Sequence, residues 1–186
     1  TKHVERLKQQ LGLSSHIISN LLELTRSQMP RRSTVGLRGL LDSALQSLPE
    51  QGILIDTELA SGTENVNVDP GQVKHLLMNL LLHCVNALSA VENPMIRLTG
   101  RPERGGLLLT VEDNGEGLPE ALTRPVFDAF GGPQSAGSGL ALCQNIVEKH
   151  GGQLTVGISG QGGARFEIWL AAACSPDPAW VGQGAD

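Results

Sequence analysis

The fold is decided by residues 107–119, which read LLLTVEDNGEGLP, and by residues 137–142, which read GSGLAL. The apolar run Leu107–Val111 predicts a strand that delivers the Asp113 carboxylate onto a turn that only glycines allow. The second glycine turn opens a predicted helix, whose free N–H groups favour an anionic phosphate. A nucleotide pocket requires a carboxylate that accepts hydrogen bonds from an amino-purine. It also requires a site for the phosphates, which the helix start would provide.

Taken together, these residues resemble the ATP-binding domain of sensor histidine kinases, a fold also used by type II topoisomerases, mismatch-repair ATPases and an ATPase chaperone family. The matching motifs, in chain order, are the N box at 79–84 (NLLLHC), the D-x-G-x-G box at 113–117, the F box at Phe127 and Phe130, the G-x-G-L-G-L box at 137–142 and H-G-G at 150–152. They lie within residues 33–172. The resemblance implies an α+β fold, a two-layer α/β sandwich in which helices cover one face of a mixed sheet.

The resemblance also implies ATP as the ligand, with Asp113 as its main base contact. An ionised carboxylate only accepts hydrogen bonds, which suits the amino group of adenine and rejects the carbonyl of guanine at that position. Glycines let the backbone approach the base and the phosphates closely. The implied nucleotide-binding residues are Asn79, His83, Asn86, Asp113, Gly115, Gly117, Leu118, Phe130, Gly137, Ser138, Gly139 and Leu140.

The sequence departs from the family at the phosphate end of the pocket. His83 stands where the family has the asparagine that helps to hold Mg²⁺, and Mg²⁺ prefers oxygen ligands to imidazole. Two interpretations stay open: His83 contacts a phosphate or a metal-bound water, or it is a packed residue that has lost the role. Gln134 replaces a lysine that reaches the terminal phosphate, and Ala141 replaces the last glycine of its box. We expect these changes to weaken phosphoryl transfer more than nucleotide binding.

Residues 1–30 are the predicted dimerisation element, in which residues 1–28 form a long helix with an apolar stripe at spacings of three and four. The segment Ile18–Arg26 looks like the second helix of the dimerisation and phosphotransfer hairpin, which implies a homodimer. The first helix, which normally carries the phosphoacceptor histidine, is absent from the chain, and His16 lacks the expected neighbours. The chain begins at Thr1 inside this pattern, so we expect it to be a fragment.

The remaining pattern alternates between helices and strands, and Asp69 with Pro70 predicts a capped helix start. Residues 173–186, rich in proline, glycine and alanine, are expected to form a flexible tail. Periodicity predicts helices over 37–48, 72–90 and 139–150, and strands over 53–59, 66–68, 95–100, 107–112, 152–158 and 164–170.

Bulk properties exclude several classes of function. The 186 residues carry a net charge of -5 without a long basic run, so nucleic acid is not an expected partner. No stretch approaches the roughly 18 apolar residues of a membrane helix, so no membrane contact is expected from this chain. Cys84, Cys143 and Cys174 lack C-x-x-C spacing, which argues against zinc and against a disulfide framework. A reducing cytoplasm fits best, even if the parent protein is membrane-bound.

The resemblance therefore implies the catalytic domain of a two-component sensor histidine kinase. Such a domain binds Mg²⁺ and ATP and presents the terminal phosphate to a histidine, from which it passes to the receiver domain of a response regulator. The chain offers no catalytic nucleophile of its own. One alternative is a degenerate nucleotide-binding or scaffold module. A chaperone- or topoisomerase-type ATPase needs a catalytic glutamate in the N-box helix, and residues 72–90 contain none.

Overall fold

The computed structural model describes residues 29–49, 52–117, 139–172 and 174–175. Predictions that fall on other residues, including the N-terminal helix and the F box, lie outside this part of the chain. The described elements are β1 (Ser33–Val35), α1 (Leu37–Leu45), β2 (Leu54–Leu59), β3 (Asn65–Val68), α2 (Pro70–Ala87), β4 (Met95–Glu103), β5 (Gly106–Asp113), α3 (Leu140–Lys149), β6 (Gln153–Ile158), β7 (Ala164–Leu170) and β8 (Cys174–Ser175).

The main sheet has five strands in the order β2-β4-β5-β7-β6. β2 runs parallel to β4, and the other neighbouring pairs are antiparallel. Helices pack against one face of this mixed sheet, while charged side chains such as Arg97 and Asp56 form an ion pair on the other face. The predicted α+β sandwich is therefore confirmed.

The core lies between the helices and the sheet. The alternation of β7 places Phe166, Ile168 and Leu170 at 0% exposure, as expected for a strand with one buried face. On α2, the apolar side chains Leu76 and Leu80 are equally buried. Full burial of each such side chain contributes about 1.5–3 kcal/mol, so these layers supply most of the driving force for folding.

The element boundaries refine the predictions. Asp69 caps α2 by accepting from the N–H groups of Gly71 and Gln72, and Pro70 occupies the first turn as predicted. The connection between β4 and β5 is shorter than the predicted turn. Both strands are longer than predicted, and the turn consists of Arg104 and Gly105. Both of these residues have positive φ.

A second small sheet, in the order β1-β3-β8, was missing from the prediction. β1 and β8 have three and two residues, too few for a period-two pattern. β8 pairs with residues 65–66 and lies inside the range predicted as a flexible tail. Within the described residues, no helix is both long and apolar enough to cross a bilayer.

Candidate nucleotide-binding site

Asp113 lies at the carboxyl end of β5, buried to 3% exposure. Its Oδ1 accepts hydrogen bonds from the N–H of Gly115 at 2.8 Å and of Ala164 at 3.1 Å. Its Oδ2 is also buried and has no hydrogen-bond partner among the described residues. A buried carboxylate oxygen without a partner is costly unless a ligand supplies the donor. The backbone thus fixes one oxygen and leaves the other available to a ligand.

The loop between β6 and β7 holds this carboxylate in place. Ser159 Oγ donates to the Asp113 carbonyl at 2.7 Å. A Cβ on Gly163 would lie 2.2 Å from the Asp113 carbonyl and 2.3 Å from Oδ1, so only glycine fits there. Sequence reasoning missed both residues. The available signal was the glycine pair 162–163 directly before an alternating strand.

The two glycines of the D-x-G-x-G box are required by contacts within the protein. Gly117 has φ +76, and a Cβ there would lie 2.8 Å from the Gly162 carbonyl. A Cβ on Gly115 would lie 2.9 Å from the Ala87 carbonyl at the end of α2. These glycines therefore let the turn pack between α2 and the β6–β7 loop, beside Asp113.

Cys84 lies on α2 next to Asp113 and is 0% exposed. Burial raises the pKa of the Cys84 thiol well above its usual range, and the nearby Asp113 charge raises it further. The thiol therefore stays protonated at neutral pH and acts as a small core group. Cys84 therefore has a packing role beside the predicted base contact.

The three predicted N-box residues occupy different environments on α2. Asn79 is buried, His83 is half-buried and Asn86 is exposed. The His83 ring packs on the Phe166 ring, with centroids 5.7 Å apart and planes at 51°. This contact gives His83 a packing role, which favours the second of the two interpretations. The described residues contain no group of three or more His, Cys, Asp or Glu side chains that could hold a metal ion.

Of the residues predicted to bind phosphate, Gly139 and Leu140 at the start of α3 are described by the structure. Gly139 is the N-cap residue with φ +75, a left-handed conformation that favours glycine. Leu140 follows with its side chain in the core. The start of a helix carries a partial positive charge, which favours anions at this end of α3. Leu118, Phe130, Gly137 and Ser138 lie outside the described residues.

Comparison with known proteins identifies a family. Residues 68–173 match the family described as histidine kinase-, DNA gyrase B-, and HSP90-like ATPase. Over 164 residues the chain is 30% identical to the sensor histidine kinase ZraS of Escherichia coli O157:H7. That alignment covers 84% of this chain and 35% of ZraS, so the chain spans about a third of that relative.

Solved structures of histidine kinases share the fold. Full-length ShkA in complex with AMPPNP matches with a TM-score of 0.72 at 24% identity, covering 94% of this chain and 38% of that one. ThkA in complex with the response regulator protein TrrA matches with a TM-score of 0.70 at 20% identity, covering 91% and 50%. At these identities the structural similarity establishes the fold.

Proposed function

The chain belongs to the histidine kinase-, DNA gyrase B- and HSP90-like ATPase family, and on that premise we propose that it binds ATP and presents its terminal phosphate to a histidine. The relatives are sensor histidine kinases, so the domain is of the histidine kinase type. The observation that carries the proposal is the buried Asp113 Oδ2 without a partner.

Adenine recognition follows from the hydrogen-bond pattern at Asp113. Oδ1 is occupied by two backbone N–H donors, so the carboxylate is held in one orientation. Oδ2 then accepts from the exocyclic amino group of adenine. A guanine carbonyl at that position would place two acceptors together, which costs about 1–3 kcal/mol for a buried unsatisfied group.

The phosphate end is proposed to lie between α2 and the start of α3. The partial positive charge at the start of α3 favours the phosphates there, and the Asn79 side chain on α2 carries an amide oxygen, the kind of ligand that Mg²⁺ accepts. When bound, Mg²⁺ offsets the charge of the phosphate oxygens. His83 packs on Phe166, so we propose that Mg²⁺ relies mainly on Asn79, phosphate and water.

The proposed partners follow from the family. The phosphoacceptor histidine would be supplied by a helical hairpin that includes residues 1–30, and the homodimer would form through that helix. The phosphoryl group would then pass to the receiver domain of a response regulator in the cytoplasm. ThkA was solved with a response regulator protein, which supports this kind of partner.

A second candidate is a degenerate module that binds nucleotide or scaffolds a complex without transferring phosphate. The packing of His83 on Phe166 favours it, because a ring packed against a core side chain is poorly placed to assist a metal. Gln134, at the position of the phosphate-contacting lysine, points the same way. Both candidates share the adenine pocket and differ in phosphoryl transfer.

Calorimetric titration with ATP and ADP, with and without Mg²⁺, tests the proposal on wild type and Asp113→Asn. The asparagine keeps an oxygen for the two N–H donors but turns an amide donor toward adenine, so the fold persists. ATP affinity should fall about 5- to 150-fold, the equivalent of 1–3 kcal/mol. The matched control is Asp56→Asn, on the exposed sheet face. Absence of ATP binding by the wild-type chain, or binding that Asp113→Asn leaves intact, would overturn the proposal.

In the same titration, ITP distinguishes a loss of base recognition from a general loss of nucleotide binding. Its carbonyl at position 6 replaces the amino group of adenine and can accept from the new asparagine amide. We expect wild type to prefer ATP to ITP and Asp113→Asn to lose or reverse that preference. An unchanged ratio of the two affinities would show that Asp113 does not recognise this edge of the base.

A further inference from the structure

The segment just before β1 is fixed to the ends of both helices of the proposed nucleotide site. The backbone N–H of Arg31 donates to Asp69 Oδ2 at 2.8 Å, at the start of α2. The Arg32 guanidinium donates to the His150 carbonyl at 3.0 Å, at the end of α3, and to the Ala171 carbonyl after β7. These contacts span up to 139 residues of sequence, so the segment before β1 connects elements that are distant along the chain.

His150 joins the same two helix ends directly. It is 0% exposed, and its Nε2 accepts from the Asp69 N–H at 3.2 Å. Its Nδ1 lies 2.8 Å from the Ile146 carbonyl. Because Nε2 faces a donor and Nδ1 faces an acceptor, the ring is neutral with its proton on Nδ1. We call Arg32, Asp69 and His150 the linker junction.

The chemistry of Arg32 suits this position. Its planar guanidinium can donate to two carbonyl oxygens in fixed directions, which a lysine ammonium does less well. The carbonyl groups at the end of α3 also carry the partial negative charge of the helix, which favours a cation. The junction is therefore a specific contact between the segment before β1 and the two helices.

The proposed nucleotide groups lie away from the junction along both helices, Asn79 in the middle of α2 and Gly139 at the far end of α3. α2 begins at the junction and α3 ends there, so the helices run antiparallel. Asn79 on α2 and Gly139 before α3 lie about 15 Å from the junction at 1.5 Å per residue. A helix is stiff over this length, so a shift at the junction changes how Asn79 faces the start of α3.

We propose that Arg32 is a positioning residue for the nucleotide site. By joining the segment before β1 to the ends of α2 and α3, it sets the relative position of the two helices. The inference rests on the proposed nucleotide binding. Linkage requires the reverse effect, so bound ATP must stabilise the junction.

The first test compares ATP affinity in Arg32→Ala and Arg31→Ala by calorimetry. The two changes remove the same charge from neighbouring exposed positions, but Arg31 contacts Asp69 through its backbone N–H, which alanine keeps. We expect Arg32→Ala to weaken ATP binding about 3- to 30-fold, the range of typical coupling energies, and Arg31→Ala to match wild type. Arg32→Lys, which retains the charge, should recover part of the loss. Equal affinities in Arg32→Ala and Arg31→Ala overturn the inference.

The second test needs no variant. Hydrogen exchange of the Arg31 and Asp69 amides is measured in wild type with and without ATP. ATP should slow exchange of both amides if the site and the junction are coupled, and unchanged exchange in a chain that binds ATP overturns the inference alone. Failure of the wild-type chain to bind ATP overturns both this inference and the proposed function, so the two failures are distinguishable.

Discussion

At the scale of single residues, Gly163 is predicted to be as important to the adenine site as Asp113. A methyl group there would collide with the Asp113 carbonyl and Oδ1, so Gly163→Ala must displace the carboxylate or the loop. We expect a loss of about 1–3 kcal/mol in the free energy of unfolding, as in overpacked sites, together with weaker ATP binding. Urea unfolding and calorimetry measure the two effects.

Gly160→Ala in the same loop is the matched control for Gly163→Ala. No atom lies within 4 Å of the position of its Cβ, so stability and ATP affinity should stay close to wild type. If Gly163→Ala behaves like Gly160→Ala, the close packing around Asp113 does not contribute to binding.

The sequence predicted Asp113 and Gly115 but not the residues of the β6–β7 loop that hold the carboxylate. Asp113 stands in a local motif, where an apolar run, a carboxylate and two glycines are adjacent. Ser159 and Gly163 reach it from 46 residues or more downstream, through the pairing of β5 with β7. Such contacts depend on strand order, which local periodicity does not encode.

At the scale of elements, the Asp69 side chain at the start of α2 has two functions, one for each carboxylate oxygen. Asp69 Oδ1 caps the helix, and Oδ2 accepts from the N–H of Arg31. Asp69→Asn can keep the cap but places an amide donor toward the Arg31 N–H. Asp69→Ala loses both contacts, and the cap alone is worth about 0.5–2 kcal/mol. We expect the free energy of unfolding to fall in the order wild type, Asp69→Asn, Asp69→Ala.

Urea unfolding checks this order, with Asp42→Asn on the exposed face of α1 as the control. Equal stability of Asp69→Asn and wild type would show that the contact with Arg31 contributes nothing measurable. Equal stability of Asp69→Asn and Asp69→Ala would show that the asparagine does not preserve the cap.

The same helix shows why some elements are predictable. α2 was predicted because Asp69, Pro70 and a long apolar pattern are all local signals. The small sheet was missed because β1 and β8 exist only through pairing with β3. Their stability comes from distant partners rather than from their own sequence.

At the scale of the whole molecule, the linker junction makes stability depend on pH. Burial of His150 lowers its pKa from the usual value of 6.5 and Arg32 lowers it further, although the Ile146 carbonyl and Asp69 act in the opposite direction. The unfolded chain therefore binds a proton on this ring at a higher pH than the folded chain does. The stabilisation is complete above pH 6.5 and is lost as the pH falls from there through the lower, folded pKa.

His150→Gln tests this assignment, because its amide oxygen can accept from the Asp69 N–H and does not titrate. Free energies of unfolding are measured in urea between pH 5 and pH 8. Wild type should lose up to about 1.4 kcal/mol per pH unit more than the variant below pH 6.5, the value for one proton. The variant should be less stable than wild type at pH 8, where the neutral ring makes both of its hydrogen bonds. Parallel pH profiles for the two proteins would contradict the assignment, because the remaining histidines and carboxylates are common to both and cancel in the difference. A steeper wild-type profile would instead show that the folded chain keeps the His150 ring neutral, as its contacts with the start of α2 and with α3 require.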